Sequence, residues 1–189
     1  MPFKDCISRF RLNSCWQFTE GFNLKVFVLN RQDKIIIDLN LFKKVASYIA
    51  GKFDRDNKTE LNVIFTDRNE IRQLNKKYRN KDIPTDVLSF SYNQIVDQKS
   101  RKIKEAFNRE HGFSMVGEII ISPEVALENI DSSIKDSDKD WNLNRELSLL
   151  IIHGILHIYN YDHEERYDRI GMESLQNSLI NDVRINFNI

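Results

Sequence analysis

Residues 141–165 read WNLNRELSLLIIHGILHIYNYDHEE, a long, strongly apolar helix from about Trp141 to Tyr159 followed by a break. Within it His153 and His157 are four residues apart, which stacks their rings on one helix face. His163 follows six residues later, past the helix end, so the run is H-x3-H-x5-H and holds three of the chain's four histidines. Neutral imidazole binds zinc at about 2.0–2.1 Å, and three protein ligands with an open fourth position is the catalytic pattern. Bringing His163 back to the helix face requires the helix to stop soon after His157, usually on a residue in the left-handed conformation. Asn160 stands where that residue is wanted, and asparagine is the best substitute for glycine there. The spacing predicts one zinc ion per chain, held by His153, His157 and His163. The competing reading, histidines simply packed or hydrogen-bonded in a core, suits one such residue better than three at ligand spacing. A structural zinc would close its fourth position, usually with cysteine, and Cys6 and Cys15 are far away in sequence.

Upstream of this segment, strands and helices alternate. Phe22–Leu29 alternates as a strand, and Asp38 can cap a helix to about Lys52 with Leu39, Phe42, Val45, Ala46 and Ile49 on one face. Leu61–Phe65 is a short apolar strand; Thr66 or Asp67 then caps a helix to about Tyr78, with Ile71, Leu74 and Tyr78 inward and Arg72, Lys76 and Lys77 outward. Pro84 leads into a strand over Asp86–Tyr92, and Val116–Ile121 is another, followed by a helix capped by Ser122 with Pro123 in its first turn. Residues 93–112 look like an insertion and 131–140 like a solvated acidic connector. A last amphipathic helix spans about Glu165–Asn186. The expected fold is α+β, a single domain over 22–186 with a small mixed β-sheet covered by helices, preceded by an extension over 1–21.

With 189 residues, 41% hydrophobic, the chain is long enough for one domain with a buried core. Lys+Arg and Asp+Glu both number 28, so any nucleic-acid partner must be held by a local patch rather than an overall basic coat. No apolar run approaches the roughly 20 residues of a membrane span, and the first twenty residues lack the apolar core of a signal peptide. Two cysteines make no disulfide framework, so the expected compartment is the cytoplasm, with no membrane partner.

HGILHIYNYDHEE resembles the signature of the YbeY family of bacterial rRNA-maturation endoribonucleases, whose usual form is H-G-x-L-H-x-x-G-Y-D-H. Tyr78–Phe90 (YRNKDIPTDVLSF) and Val116–Ser122 (VGEIIIS) agree as well, and the resemblance runs from about residue 22 to 180. Asn160 replaces the family's glycine, and Glu118 stands where aspartate is commoner. The resemblance implies a zincin-like metal-binding helix with zinc on the three histidines, and single-strand-specific cleavage of RNA in maturation of the small-subunit ribosomal RNA 3′ end and in ribosome quality control. It also implies Arg79 and His153 as catalytic residues, ribosomal RNA as partner with a small-subunit ribosomal protein as a further candidate, and no DNA. Physically, a guanidinium can hold two phosphate oxygens as charge builds on them. Arg79 also reads as a helix-end cation paired with Asp82 or with carbonyls.

Residues 68–104 carry ten Lys/Arg against four Asp/Glu, whereas 122–140 carry two against six. Arg79, Lys76, Lys77 and Lys81 are the candidate phosphate contacts, although a solvated helix face gives similar runs. Asp162 and Glu164 could accept hydrogen bonds from a ligand histidine, or serve as helix-dipole partners. Zinc peptidases of the H-E-x-x-H type place glutamate directly after the first histidine. Here Gly154 occupies that position, which argues against a peptidase; it leaves room near the metal or lets another element approach closely. No residue is assigned as general base. Two other readings stay open: an RNA- and protein-binding ribosome-assembly factor with a mainly structural metal, and a zinc hydrolase of another substrate.

Overall fold

Leu61–Phe65 is apolar at nearly every position, a pattern a strand sustains only when both of its faces are covered. In the computed structural model, which describes residues 24–54, 59–92, 114–133, 140–161 and 166–189, that segment lies inside the sheet. The strands are β1 (Lys25–Asn30), β2 (Thr59–Phe65), β3 (Val87–Ser91) and β4 (Ser114–Ile121), in the spatial order β1-β2-β4-β3. β2 is parallel to both β1 and β4, and β3 runs antiparallel to β4 at the edge. The expected mixed sheet is therefore present.

Among the described residues five helices flank it: α1 (Leu39–Phe53), α2 (Arg68–Arg79), α3 (Pro123–Ser133), α4 (Leu143–Ile158) and α5 (Arg166–Phe187). Asp38 caps α1 by accepting from the Asn40 and Leu41 amides at 3.0 and 3.1 Å. Of the two candidates for the next cap it is Asp67 that accepts from the Asn69 and Glu70 amides, while the Thr66 hydroxyl donates to Glu70. The long helix starts at Leu143 rather than Trp141, because the Asn142 side chain caps it by accepting from the Arg145 amide at 3.1 Å. Residues 131–133, expected in the acidic connector, belong to the end of α3. The 1–21 extension and the 93–112 insertion lie outside the described residues.

Period-two alternation along β2 sends side chains to two separate cores. Leu61, Val63 and Phe65 face a large cluster built with Phe42, Val45 and Ile49 of α1, Ile151, Ile155 and Leu156 of α4, and Leu179, Ile180 and Val183 of α5. Ile64 faces the opposite way, into a small cluster with Ile71 of α2, Leu88 and Ile120. α2 thus packs on one face of the sheet, and α1, α4 and α5 on the other.

α4 sits unusually close to β4. A Cβ built on Gly154 would lie 2.8–2.9 Å from three side-chain carbons of Ile119, itself fully buried. A Cβ on Gly117 of β4 would meet the Phe90 carbonyl oxygen and, at 2.8 Å, Cδ1 of Ile158. Of the two roles open to Gly154, close approach is the one the packing shows. Gly154→Ala should destabilise the fold by roughly 1–3 kcal/mol despite alanine's better helix propensity, since a branched core side chain must move. A urea midpoint equal to or above that of the parent protein would contradict this.

Candidate metal and phosphate site

Each turn of α4 presents its core face to the sheet, leaving one stripe that is only half-buried. That stripe runs through Glu146, Leu149, His153 and His157, a spacing of three or four residues that keeps them on one side of the helix. His153 Nε2 and His157 Nε2 converge to 3.0 Å, with ring centroids 4.5 Å apart and planes at 81°. Two nitrogens bound to one tetrahedral ion at zinc–nitrogen length sit roughly 3.3 Å apart, so the pair needs to open by only a few tenths of an ångström to fit it. The donor set therefore suits a borderline-soft divalent ion. No group of three or more His, Cys, Asp or Glu suited to an ion occurs among the described residues, and the two histidines stand as a pair. His163, Asp162 and Glu164 lie outside the described residues.

The helix ends as the sequence requires. Asn160 has φ 65°, in the left-handed region. Its amide donates to the His157 carbonyl at 3.1 Å and the Tyr161 amide donates to the Leu156 carbonyl at 2.9 Å. These are the two bonds of a Schellman termination, which ends the helix at Ile158, one residue after His157, and turns the chain sharply.

A residue the sequence analysis does not single out joins the pair. Gln176 of α5 places its Oε1 3.0 Å from His153 Nδ1. The sequence carried a signal for it: Gln176 lies on the same face of α5 as Met172, Leu179, Ile180 and Val183, all buried, and a polar group on an apolar stripe needs a partner. Glu146 stands on the same half-buried stripe of α4. It accepts from Trp141 Nε1 at 2.9 Å, and burial pushes its carboxyl above the ordinary value, with the Asp86 charge adding to the rise and the Trp141 hydrogen bond opposing it.

On the other face of the sheet, Arg79 is the last residue of α2 and is exposed. Asp82 accepts instead from Arg72 Nε at 2.9 Å and Lys76 Nζ at 2.8 Å. Those two bonds, Lys76 first, hold its carboxyl below the usual range. Among the described residues Arg79 makes no ion pair with Asp82 or any other acid. Lys77 Nζ lies 5.1 Å from the centroid of the Tyr78 ring, and Lys81 is exposed. Lys76 is thus committed to an acid, while Lys77, Arg79 and Lys81 point no charge at a carboxylate among the described residues.

Both halves are anchored at the same end of β3. The Tyr78 ring packs edge-on against Phe90 at 5.0 Å, and the Ser91 hydroxyl donates to the Ile158 carbonyl at 3.1 Å. Arg79 and His157 are each one residue from these contacts, on opposite faces of one edge strand. Beside it, buried Glu118 of β4 accepts from Asn62 Nδ2 at 3.1 Å, on the α2 face.

Comparison with known proteins shows the family. The family model described as Endoribonuclease YbeY matches residues 27–184. The chain belongs to that family. An Endoribonuclease YbeY of Listeria welshimeri is 34% identical over 158 residues, covering 83% of this chain and 94% of its own length. One from Clostridium botulinum is 30% identical over 167 residues, covering 82% and 95%. The solution structure of TM1509 from Thermotoga maritima, 25% identical, superposes with a TM-score of 0.55 over 86% of this chain and 91% of that one. Membership in a family of YbeY endoribonucleases makes the enzyme reading the right one and leaves the pure binding factor and the hydrolase of another substrate without support. No described helix is long and apolar enough to cross a membrane.

Proposed function

We propose that the chain is a zinc-dependent, single-strand-specific endoribonuclease of the cytoplasm that matures the 3′ end of small-subunit ribosomal RNA and serves ribosome quality control. The observation that carries the metal part is the convergence of His153 Nε2 and His157 Nε2 to 3.0 Å on the half-buried stripe of α4. Membership in a family of endoribonucleases supports the RNA part. His153, His157 and His163 would hold one zinc ion per chain, and Asp162 and Glu164 would orient a ligand ring. The ion's contribution when bound is Lewis acidity toward a phosphoryl oxygen or an attacking water.

Arg79 would grip the scissile phosphate, its planar fork matching two phosphate oxygens. Lys77 and Lys81 would hold flanking phosphates, whereas Lys76 contributes less because Asp82 already holds it. The ion would sit on the half-buried stripe of α4, where charge interactions are screened less than at an open surface. Ribosomal RNA is the partner, with a small-subunit ribosomal protein beside it.

The test is cleavage of an RNA carrying the small-subunit 3′ end, single-stranded or annealed to its complement. Cutting of the single strand with the duplex left intact is expected. Equal cutting of both would overturn the strand preference. Binding without cutting of either would bring the assembly-factor reading forward.

A further inference from the structure

We infer that Gln176 is a positioning residue that fixes the tautomer of His153 and thereby sets the affinity of the metal site; this rests on the metal-site reading above. A histidine can ligate through Nε2 only if its proton sits on Nδ1, and the group facing Nδ1 decides which tautomer prevails. Facing it here is the Gln176 side-chain oxygen, at 3.0 Å. An amide oxygen accepts and cannot donate, so the contact requires Nδ1–H on His153 and leaves the Nε2 lone pair directed at His157.

The same bond holds the ring plane. A ring four residues from a second ligand must keep its rotation for both nitrogens to reach one ion, and a hydrogen bond from a neighbouring helix restrains that rotation. Gln176 is itself half-buried between Met172 and Leu179 on the inward stripe of α5, so its own freedom is limited. α5 therefore does more than cover the core. It supplies the outer support for a ligand on α4, from a position 23 residues further along the chain.

The variants are Gln176→Leu, which keeps bulk and removes the acceptor, and Gln176→Glu, which keeps an acceptor of the same length. Zinc affinity is measured by competition with a chromophoric chelator, beside the urea midpoint of each metal-stripped protein. Gln176→Leu should bind zinc about 10–100-fold more weakly, and Gln176→Glu should restore affinity to the parent level or above. Nitrogen-15 NMR of the parent protein should report His153 protonated at Nδ1, a readout that needs no variant and survives any folding failure.

Zinc affinity of folded Gln176→Leu within twofold of the parent would overturn the inference, as would a His153 proton on Nε2 in the parent. Failure of the parent protein to bind zinc at all would instead strike the metal reading beneath it.

Discussion

Purified His157→Ala is expected to lose zinc and RNA cleavage together. His153 and His157 present their Nε2 atoms to one point, and removing one of them leaves a remaining imidazole that His163 alone must assist. An ion held by two protein ligands is exchanged readily, so zinc content after dialysis should fall well below one equivalent. Cleavage should fall by about 100-fold or more, because the ion's Lewis acidity goes with it. The fold should survive: His157 lies on the half-buried stripe, and the residues that close the core around it, Leu156 and Ile158, are untouched. Full zinc occupancy in a folded His157→Ala protein would remove His157 from the ligand set.

Arg79→Ala should separate binding from turnover. The guanidinium is exposed at the end of α2 and is not consumed by Asp82, which Arg72 and Lys76 already satisfy. Its loss should therefore cost little stability, within about 0.5 kcal/mol as for other surface changes. Turnover should fall about 100–1,000-fold, the usual cost of one fixed donor aimed at developing charge. RNA affinity should weaken modestly, with the salt slope shallower by about 0.7, the share of one single-strand phosphate. Arg79→Lys should recover only part of the rate, since an ammonium cannot grip two oxygens in one plane. Zinc content should stay at one equivalent. Unchanged turnover in Arg79→Ala would reduce the residue to a helix-end cation.

Much of this architecture is legible in the sequence. The H-x3-H spacing within an apolar run placed two rings on one face, and Asn160 marked the left-handed stop, now seen at φ 65°. Asp38 and Asp67 announced their helices through local chemistry alone, because a cap is satisfied within three residues. Partners set by tertiary contact were harder to read. Local sequence offers Asp82 or helix-end carbonyls as partners for Arg79, yet α2 turns Arg72 and Lys76 toward Asp82, ten and six residues away. Gln176 lies 23 residues from His153, so only its polarity on an apolar stripe hinted at a partner. The role of Gly154 depended on how closely α4 approaches Ile119, a distance no helix periodicity contains. The antiparallel pairing of edge strand β3 with β4 likewise spans a segment with no periodic signal.

This family fold is proposed to cleave RNA through an ion held at the paired histidines. The most direct measurement is cleavage of a single-stranded ribosomal RNA fragment by metal-stripped protein as zinc is added back in steps. Metal-dependent cleavage requires no product at the start, a rise with each addition, and a break at one equivalent per chain. Undiminished cleavage by the stripped protein, or a rate that ignores added zinc while zinc binds, would contradict it.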